Sequence, residues 1–394
     1  MSRTSIGGLS SSGASQNAPA SATTFAFDKV FSPDTPQSSV YDIVAAPLVN
    51  EVMSGFNATV FAYGATGTGK TFSIMGYNHD PAVESAHAIS ASEAGIFTGE
   101  VNVSPTSLHG IIPRFVADVF AHIEDADEDI EFTIKLSMLE IYMEKVRDLL
   151  NPENDNLKLR ESPFGIFAEN ATQCYISSDE EVYQILSTGS RNRMVAATDM
   201  NEESSRSHCV LLVTVGQNNT QTGEKTGGKF TFVDLAGSEK IERSGVEGQS
   251  LKEAQHINKS LSALGNVIHA LSSGAGHVPY RDSKLTRLLS DSIGGNSKTA
   301  LLVTCSPSPL DSEETLSTLR FGRRAKTVKN KPIVNKERTL EEYRALLVEA
   351  TRYARTGINK HVSFSFLESH HNMCFVTLFF CSHHLKYLAM FPLL

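Results

Sequence analysis

The stretch that decides the fold is "FAYGATGTGKTFSIMG", residues 61–76, with four glycines, three threonines and one lysine between apolar runs. The run ending at Tyr63 reads as a strand, and the pattern after Lys70-Thr71 suits a helix start. Between them Gly64, Gly69, Lys70 and Thr71 satisfy G-x-x-x-x-G-K-[ST]. A triphosphate needs many N–H donors at close range, and bulky side chains would block that approach. The cradle is therefore expected at Gly64, Ala65, Thr66, Gly67, Thr68, Gly69, Lys70 and Thr71. Lys70 would neutralise the β- and γ-phosphates, and the Thr71 hydroxyl would ligate Mg²⁺. An ordinary Gly-rich turn explains the composition but not four fixed positions in a strand-loop-helix context. The motif names neither the base nor the use of the energy.

The chain has 394 residues, and about 330 of them read as one globular α/β unit. Five scattered cysteines, an odd count, suggest no disulfide framework and point to a reducing compartment. The N-terminus lacks the charged and apolar regions of a secretory signal. No stretch of 18 uncharged apolar residues is present, so no transmembrane helix is expected. The net charge of −9 argues against an acidic partner, but its distribution matters more. Between Arg320 and Arg338 eight Lys/Arg face one Glu, and between Lys240 and Arg287 seven face four acidic residues. Either cluster alone reads as a solvated helix face; together they could hold an acidic surface.

Residues 1–24 are low-complexity and read as disordered. Residues 25–31 are strand-like, and 40–53 suit a single helix. Residues 77–109 lack a clear period and read as an extended surface loop. Helices are expected at 111–123, 179–194, 255–271 and 313–328, and strands at 131–139, 209–215, 229–234 and 300–305. A polar hairpin, "GQNNTQTGEKTGG", separates the middle two strands. Strands alternating with helices imply an α/β P-loop NTPase, with a central, mostly parallel, twisted sheet flanked by helices on both faces.

Two more stretches carry chemistry. In "FTFVDLAGSE" an apolar strand ends at Asp234, and Gly237 completes D-x-x-G. Asp234 would reach Mg²⁺ through water, and the Gly237 N–H would sense the γ-phosphate. "NEESSRSH", residues 201–208, packs three serines, an arginine and a histidine before the neighbouring strand. Its hydroxyls could order a second phosphate-sensing loop.

These motifs together resemble the kinesin motor domain. So do "HINKSLSALGNVIHAL" (256–271), "VPYRDSKLTRLL" (278–289), "GGNSKTALLVTCSP" (294–307) and "TLSTLRFGRRAKTVKNKP" (315–332). The resemblance covers about residues 23–347 and looks most like conventional, N-terminal-motor kinesins. It implies a microtubule-stimulated ATPase with ATP and Mg²⁺ as cofactors, plus-end directed, on cytoplasmic microtubules. It implies that Ser204 and Ser205 close over the γ-phosphate, Ser205 joining Thr71 and Asp234 around the metal. It implies a salt bridge between Arg206 and Glu239, with Glu239 helping to take the proton from the attacking water. The microtubule face it implies is Lys240, Lys252, Lys259, Arg281, Lys284 and Arg287. The motor would span 25–328, and 329–350 would hold a neck linker and the start of a neck helix. No nucleic-acid or membrane partner is implied; a homodimer is expected only in a longer form carrying a stalk, with this chain a monomer.

The sequence departs from the family at three places. No Arg-x-Arg-Pro segment precedes "FAFDKVF", so the usual adenine-stacking first strand is expected to be missing. The 77–109 loop is longer than in conventional kinesins by about 20 residues. Residues 351–394 show no heptads and no clear domain; their His/Cys spacing fits no standard zinc pattern, and His383, His384 and Lys386 interrupt any membrane anchor. The tail reads as a terminus produced by mistaken gene boundaries. Two alternatives remain. A GTPase switch needs Asn-Lys-x-Asp, and both "NKSL" at Asn258 and "NKER" at Asn335 lack the aspartate. A non-catalytic or weakly active microtubule-binding fragment would follow from the missing first strand.

Overall fold

A computed structural model describes residues 23–76, 108–162, 165–198, 206–239, 249–337, 344, 347–349, 362–368, 374–380 and 387–390. Side chains at 195–198, at 249–258 and in the last three stretches are not described. The expected disordered start, nearly all of the long 77–109 loop, Ser204, Ser205 and Lys240 lie outside these residues. The chain divides into two compact units, Met1–Lys336 and Glu337–Leu394.

In the first unit the strands are β1 (Ala58–Tyr63), β2 (Ile130–Tyr142), β3 (Lys145–Asp148), β4 (Leu159–Ser162), β5 (Gly165–Ala168), β6 (Cys174–Ile176), β7 (His208–Asn219), β8 (Lys225–Asp234) and β9 (Lys298–Val303). The helices are α1 (Gln37–Val44), α2 (Ala46–Met53), α3 (Lys70–Ile74), α4 (Ile111–Glu124), α5 (Asp179–Thr198), α6 (Gln249–Ser272), α7 (Lys284–Leu288) and α8 (Ser312–Ala325). The main sheet runs β3-β2-β7-β8-β1-β9, with β6 also paired to β2. β4 and β5 form a separate hairpin.

The expected parallel character holds only where the phosphate loop emerges. β1 lies parallel to both β8 and β9. The β2–β3, β2–β6, β2–β7 and β7–β8 pairs are antiparallel, so the sheet is mixed rather than mostly parallel. Part of the reason is the β7–β8 hairpin expected from the sequence, whose strands run past the expected 209–215 and 229–234 into its polar residues. Both strands continue into solvent, pairing as far as Asn218 with Lys225. The tight reversal is closed by the Asn219 side chain, which accepts N–H bonds from Gln221 and Thr222, and by Gly223 at φ +70°. Polarity there marks exposure, not the absence of a strand.

All six β1 residues are buried, and alternate ones enter opposite cores. Ala58, Val60 and Ala62 join one cluster with Ile111, Ile112 and Phe115 of α4. Phe61 and Tyr63 join the other with Leu261, Leu264, Val267 and Ile268 of α6. Helices thus cover both faces, as expected. Phe230 and Phe232 stack at 4.3 Å on the first face and meet Phe115 at 4.5 and 5.1 Å. Burying each such ring contributes about 1.5–3 kcal/mol.

The helix expected over 40–53 is two helices, because Pro47 cannot donate the bond that a continuous helix needs and takes the first turn of α2. No strand forms at 25–31, although Phe25 is buried; among the described residues the first strand is β1. In the second unit Val362–Glu368, Cys374–Phe380 and Tyr387–Met390 form an antiparallel three-stranded sheet. Runs such as "CFVTLFF" have the aromatic and β-branched content that favours strands.

Candidate functional site

The phosphate loop, 64–69, leaves the C-terminal end of β1 and runs into α3. Its glycines serve different ends. A Cβ on Gly64 would lie 2.2 Å from the Thr304 carbonyl oxygen, so that glycine lets the loop pack on the end of β9. Gly67 and Gly69 have φ of +77° and +96°, and a Cβ on either would meet nothing within 4 Å. They shape the turn and leave its outer surface open, which is what a phosphate requires.

Strand register brings the second motif to the first. Asp234, the last residue of β8, lies beside Ala62 of β1. The Thr71 hydroxyl donates to Asp234 Oδ2 at 2.7 Å, joining the expected metal-site pair directly. Asp234 Oδ1 is buried with no hydrogen-bond partner in the structure. The sensor loop then follows the phosphate loop: the Leu235 N–H donates to Ala62 and the Ser238 N–H to Gly64. Lys70 is buried, and its Nζ donates to the carbonyls of Gly64 and Ala65 at 3.0 and 2.8 Å. Burial pushes its pKa down against the opposing pull of Asp234 and Glu239. A buried cation held only by carbonyl oxygens, beside an unpartnered carboxylate oxygen, fits a metal–triphosphate.

Glu239 does not face Arg206 across an ion pair among the described residues. Its carboxylate accepts the Thr66 N–H at 2.9 Å and the Thr66 hydroxyl at 2.5 Å. Gly237 lies against the same groups: a Cβ there would come within 2.4 Å of Thr66 Oγ1 and both Glu239 oxygens. Arg206 is half-buried just before β7.

Sequence reasoning missed Arg193. From α5 it donates to Asp234 Oδ2 at 3.3 Å, to Ser207 Oγ at 3.2 Å and to the Ser207 carbonyl at 3.0 Å. It also lies 3.8 Å from Glu140, which is fully buried on β2 and 3.5 Å from Arg147. A local pattern marks Arg193 only as one of two arginines on a polar helix; its role comes from the packing of α5 against β2.

Of the expected filament-facing residues, Lys259 and Arg281 are exposed, and Lys284 and Arg287 are half-buried. They sit on α6, the Tyr280–Asp282 turn and α7, which pack together. The side chain of Lys252 lies outside the described residues. Glu144, from the β2–β3 turn, accepts the Lys284 N–H at 2.9 Å and fixes the start of α7.

The segment after α8 is laid along the core. The Asn330 amide donates to the carbonyls of Ser292 and Ser297 and to the Thr299 hydroxyl. Asn335 donates to Gly55, Asn57 and Gly227, and its carbonyl accepts the Gly227 N–H.

The family described as "Kinesin motor domain" matches residues 5–328. Kinesin-related protein 3 of Dictyostelium discoideum is 48% identical over 328 residues, 83% of this chain and 26% of that protein. The kinesin heavy chain of Syncephalastrum racemosum is 47% identical over 334 residues, 84% of this chain and 33% of its own. Kinesin heavy chain isoform 5C of Rattus norvegicus is 47% identical over 322 residues, covering 81% and 31%. A solved structure of a fast kinesin superposes with a TM-score of 0.70 at 45% identity, over 81% of this chain and 84% of that one. The chain therefore spans a third or less of these curated relatives.

Proposed function

Since this chain belongs to the kinesin motor domain family, we propose that it is a microtubule-stimulated ATPase that moves along cytoplasmic microtubules, toward the plus end. The observation that carries the reading is the Thr71–Asp234 hydrogen bond, which joins the phosphate loop to the sensor strand at the end of β1. Lys70 neutralises phosphate charge, while Thr71, Ser205 and Asp234 form the Mg²⁺ site. When bound, the magnesium–triphosphate supplies the scissile anhydride and the charge that these groups meet. Ser204 and Ser205 close over the terminal phosphate. Arg206 and Glu239 pair once both loops are closed, and Glu239 takes the proton of the attacking water. Hydrolysis is thereby tied to one loop arrangement.

Loss of the terminal phosphate frees the Gly237 region, and α6 follows the sensor loop directly in the chain. The basic residues Lys240, Lys252, Lys259, Arg281, Lys284 and Arg287 face the acidic filament, so binding weakens with salt. Docking and release of 329–336 along the core deliver the stroke, and a longer chain with a stalk pairs two such motors. The non-catalytic alternative is not favoured, because Asp234 bonds Thr71 and Glu239 bonds Thr66 despite the departure at the first strand. The deciding experiment is ATP turnover of this chain with and without microtubules. Stimulation by filaments supports the reading, and filament binding without turnover overturns it.

A further inference from the structure

Resting on that motor reading, we propose that His208 is a positioning residue that registers the sensor loop to helix α6 through Ser260. His208 opens β7, one residue before the pairing of Cys209 with Asp234, so its ring lies beside the sensor loop. The ring is 2% exposed, and it spans between two other buried residues, Ala236 and Ser260. Its Nδ1 receives the Ala236 N–H at 2.9 Å, and its Nε2 lies 2.7 Å from Ser260 Oγ. A backbone N–H can only donate, so Nδ1 carries no proton. The neutral ring therefore holds its proton on Nε2 and donates it to the Ser260 hydroxyl.

The neighbouring bonds show what this one does. Leu235 and Ser238, on either side of the Ala236–Gly237 pair, donate their N–H groups to Ala62 and Gly64. Those bonds tie the sensor loop to β1 and the phosphate loop. The Ala236 N–H instead leads away from the nucleotide side, through a planar ring, to α6. Leu235 and Ala236 also share an apolar cluster with Leu261 and Leu264 of α6. Such contact is non-directional and tolerates sliding of the helix. A hydrogen bond through a rigid ring tolerates little change in length or angle. The ring thus converts a shift of the Ala236–Gly237 backbone into a shift of α6, whose Lys259 immediately precedes Ser260 and is exposed.

The experiment measures microtubule affinity with an ATP analogue and with ADP, and takes the ratio. Ser260→Ala removes one oxygen atom and leaves the phosphate loop untouched. It is expected to shrink the ratio about three- to tenfold, the size of one lost hydrogen bond. Filament-free turnover is expected to stay at its wild-type value and the thermal midpoint to fall by only a few degrees, the cost of one buried bond, whereas a purely structural role would leave the ratio unchanged. His208→Asn keeps an acceptor near Nδ1 but cannot reach Ser260, so adding it to Ser260→Ala is expected to lower the ratio no further. A wild-type ratio in Ser260→Ala overturns the proposal, as do losses that simply add in the double variant. If Ser260→Ala melts early, wild-type hydrogen exchange decides: protection of peptides spanning Ala236 and Ser260 must change together between nucleotides, and independent changes overturn the relay. A wild-type ratio of one instead sinks the motor reading on which it rests.

Discussion

Glu239 grips Thr66 twice, taking the backbone N–H at 2.9 Å and the hydroxyl at 2.5 Å. A carboxylate thus occupies a phosphate-loop donor, and a nucleotide phosphate approaching that donor must displace it. Displacement would free Glu239 to receive a proton. Glu239→Ala is therefore expected to bind ATP at least as tightly as wild type, because a competing anion is gone. Its turnover is expected to fall about 10²- to 10⁴-fold with the loss of a general base. Nucleotide titration beside phosphate release checks both; turnover near wild type removes the catalytic role, and weaker ATP binding removes the competition.

Arg193 serves Asp234, Ser207 and Glu140 from one buried guanidinium. Arg193→Ala leaves Glu140, 1% exposed at its side chain, beside Arg147 alone. Breaking a buried ion pair on one side costs about 3–5 kcal/mol. The melting temperature is expected to fall by several degrees, and Arg193→Lys should restore little because an ammonium cannot fork toward Ser207 and Asp234 together. A melting point within about 2 °C of wild type for Arg193→Ala would show the cluster to be energetically neutral.

The parts legible in the sequence are those in which local chemistry and geometry coincide. Gly64, Lys70 and Thr71 declare a phosphate loop because each residue type is needed within a few positions of the next. The hydrophobic period of α6 likewise shows its buried face, with Leu261, Leu264 and Val267 in the core. What stayed hidden depends on partners distant in sequence. Arg193 and Glu140 meet only because α5 crosses β2, and His208 finds Ser260 across 52 positions. The hairpin between β7 and β8 was legible, but the full length of its strands was not, because its outer half faces solvent, where strand polarity and loop polarity look alike. The Glu239–Thr66 bond was hidden for a different reason: the resemblance implied Arg206 as the partner of Glu239.

The His208 ring also carries a pH signature. Burial, with Arg193 and Lys70 nearby, pushes its pKa down to about 3 from the ordinary 6.5. The unfolded chain takes up this proton as pH falls through 6.5, and the folded protein does not. The contribution of the neutral ring to stability is thus complete above pH 6.5 and declines as pH falls toward about 3. Urea midpoints measured between pH 7.5 and 5 should show a smaller decline in His208→Asn than in wild type, at about those pH values. Equal declines would mean that other groups carry all of the acid sensitivity.

Docking of the 329–336 segment rests on polar contacts more than on apolar burial. Ile333 and Val334 remain 63% and 42% exposed, while the Asn335 amide donates to Gly55, Asn57 and Gly227 at 2.8–3.0 Å. Asn296 in turn donates to Asn335 Oδ1 at 3.1 Å. Removing this side chain loses several bonds worth about 0.5–1.5 kcal/mol each, so the docked population should fall at least tenfold. None of these contacts touches the phosphate loop. Asn335→Ala is therefore expected to keep microtubule-stimulated turnover within about a factor of two while gliding velocity drops steeply, because hydrolysis continues without the stroke. Asn335→Asp preserves the shape but turns a donor into a carboxylate facing the Gly55 and Gly227 carbonyls, and should move filaments no faster than the alanine variant. Unchanged gliding in Asn335→Ala would mean that the docked segment does not carry the movement.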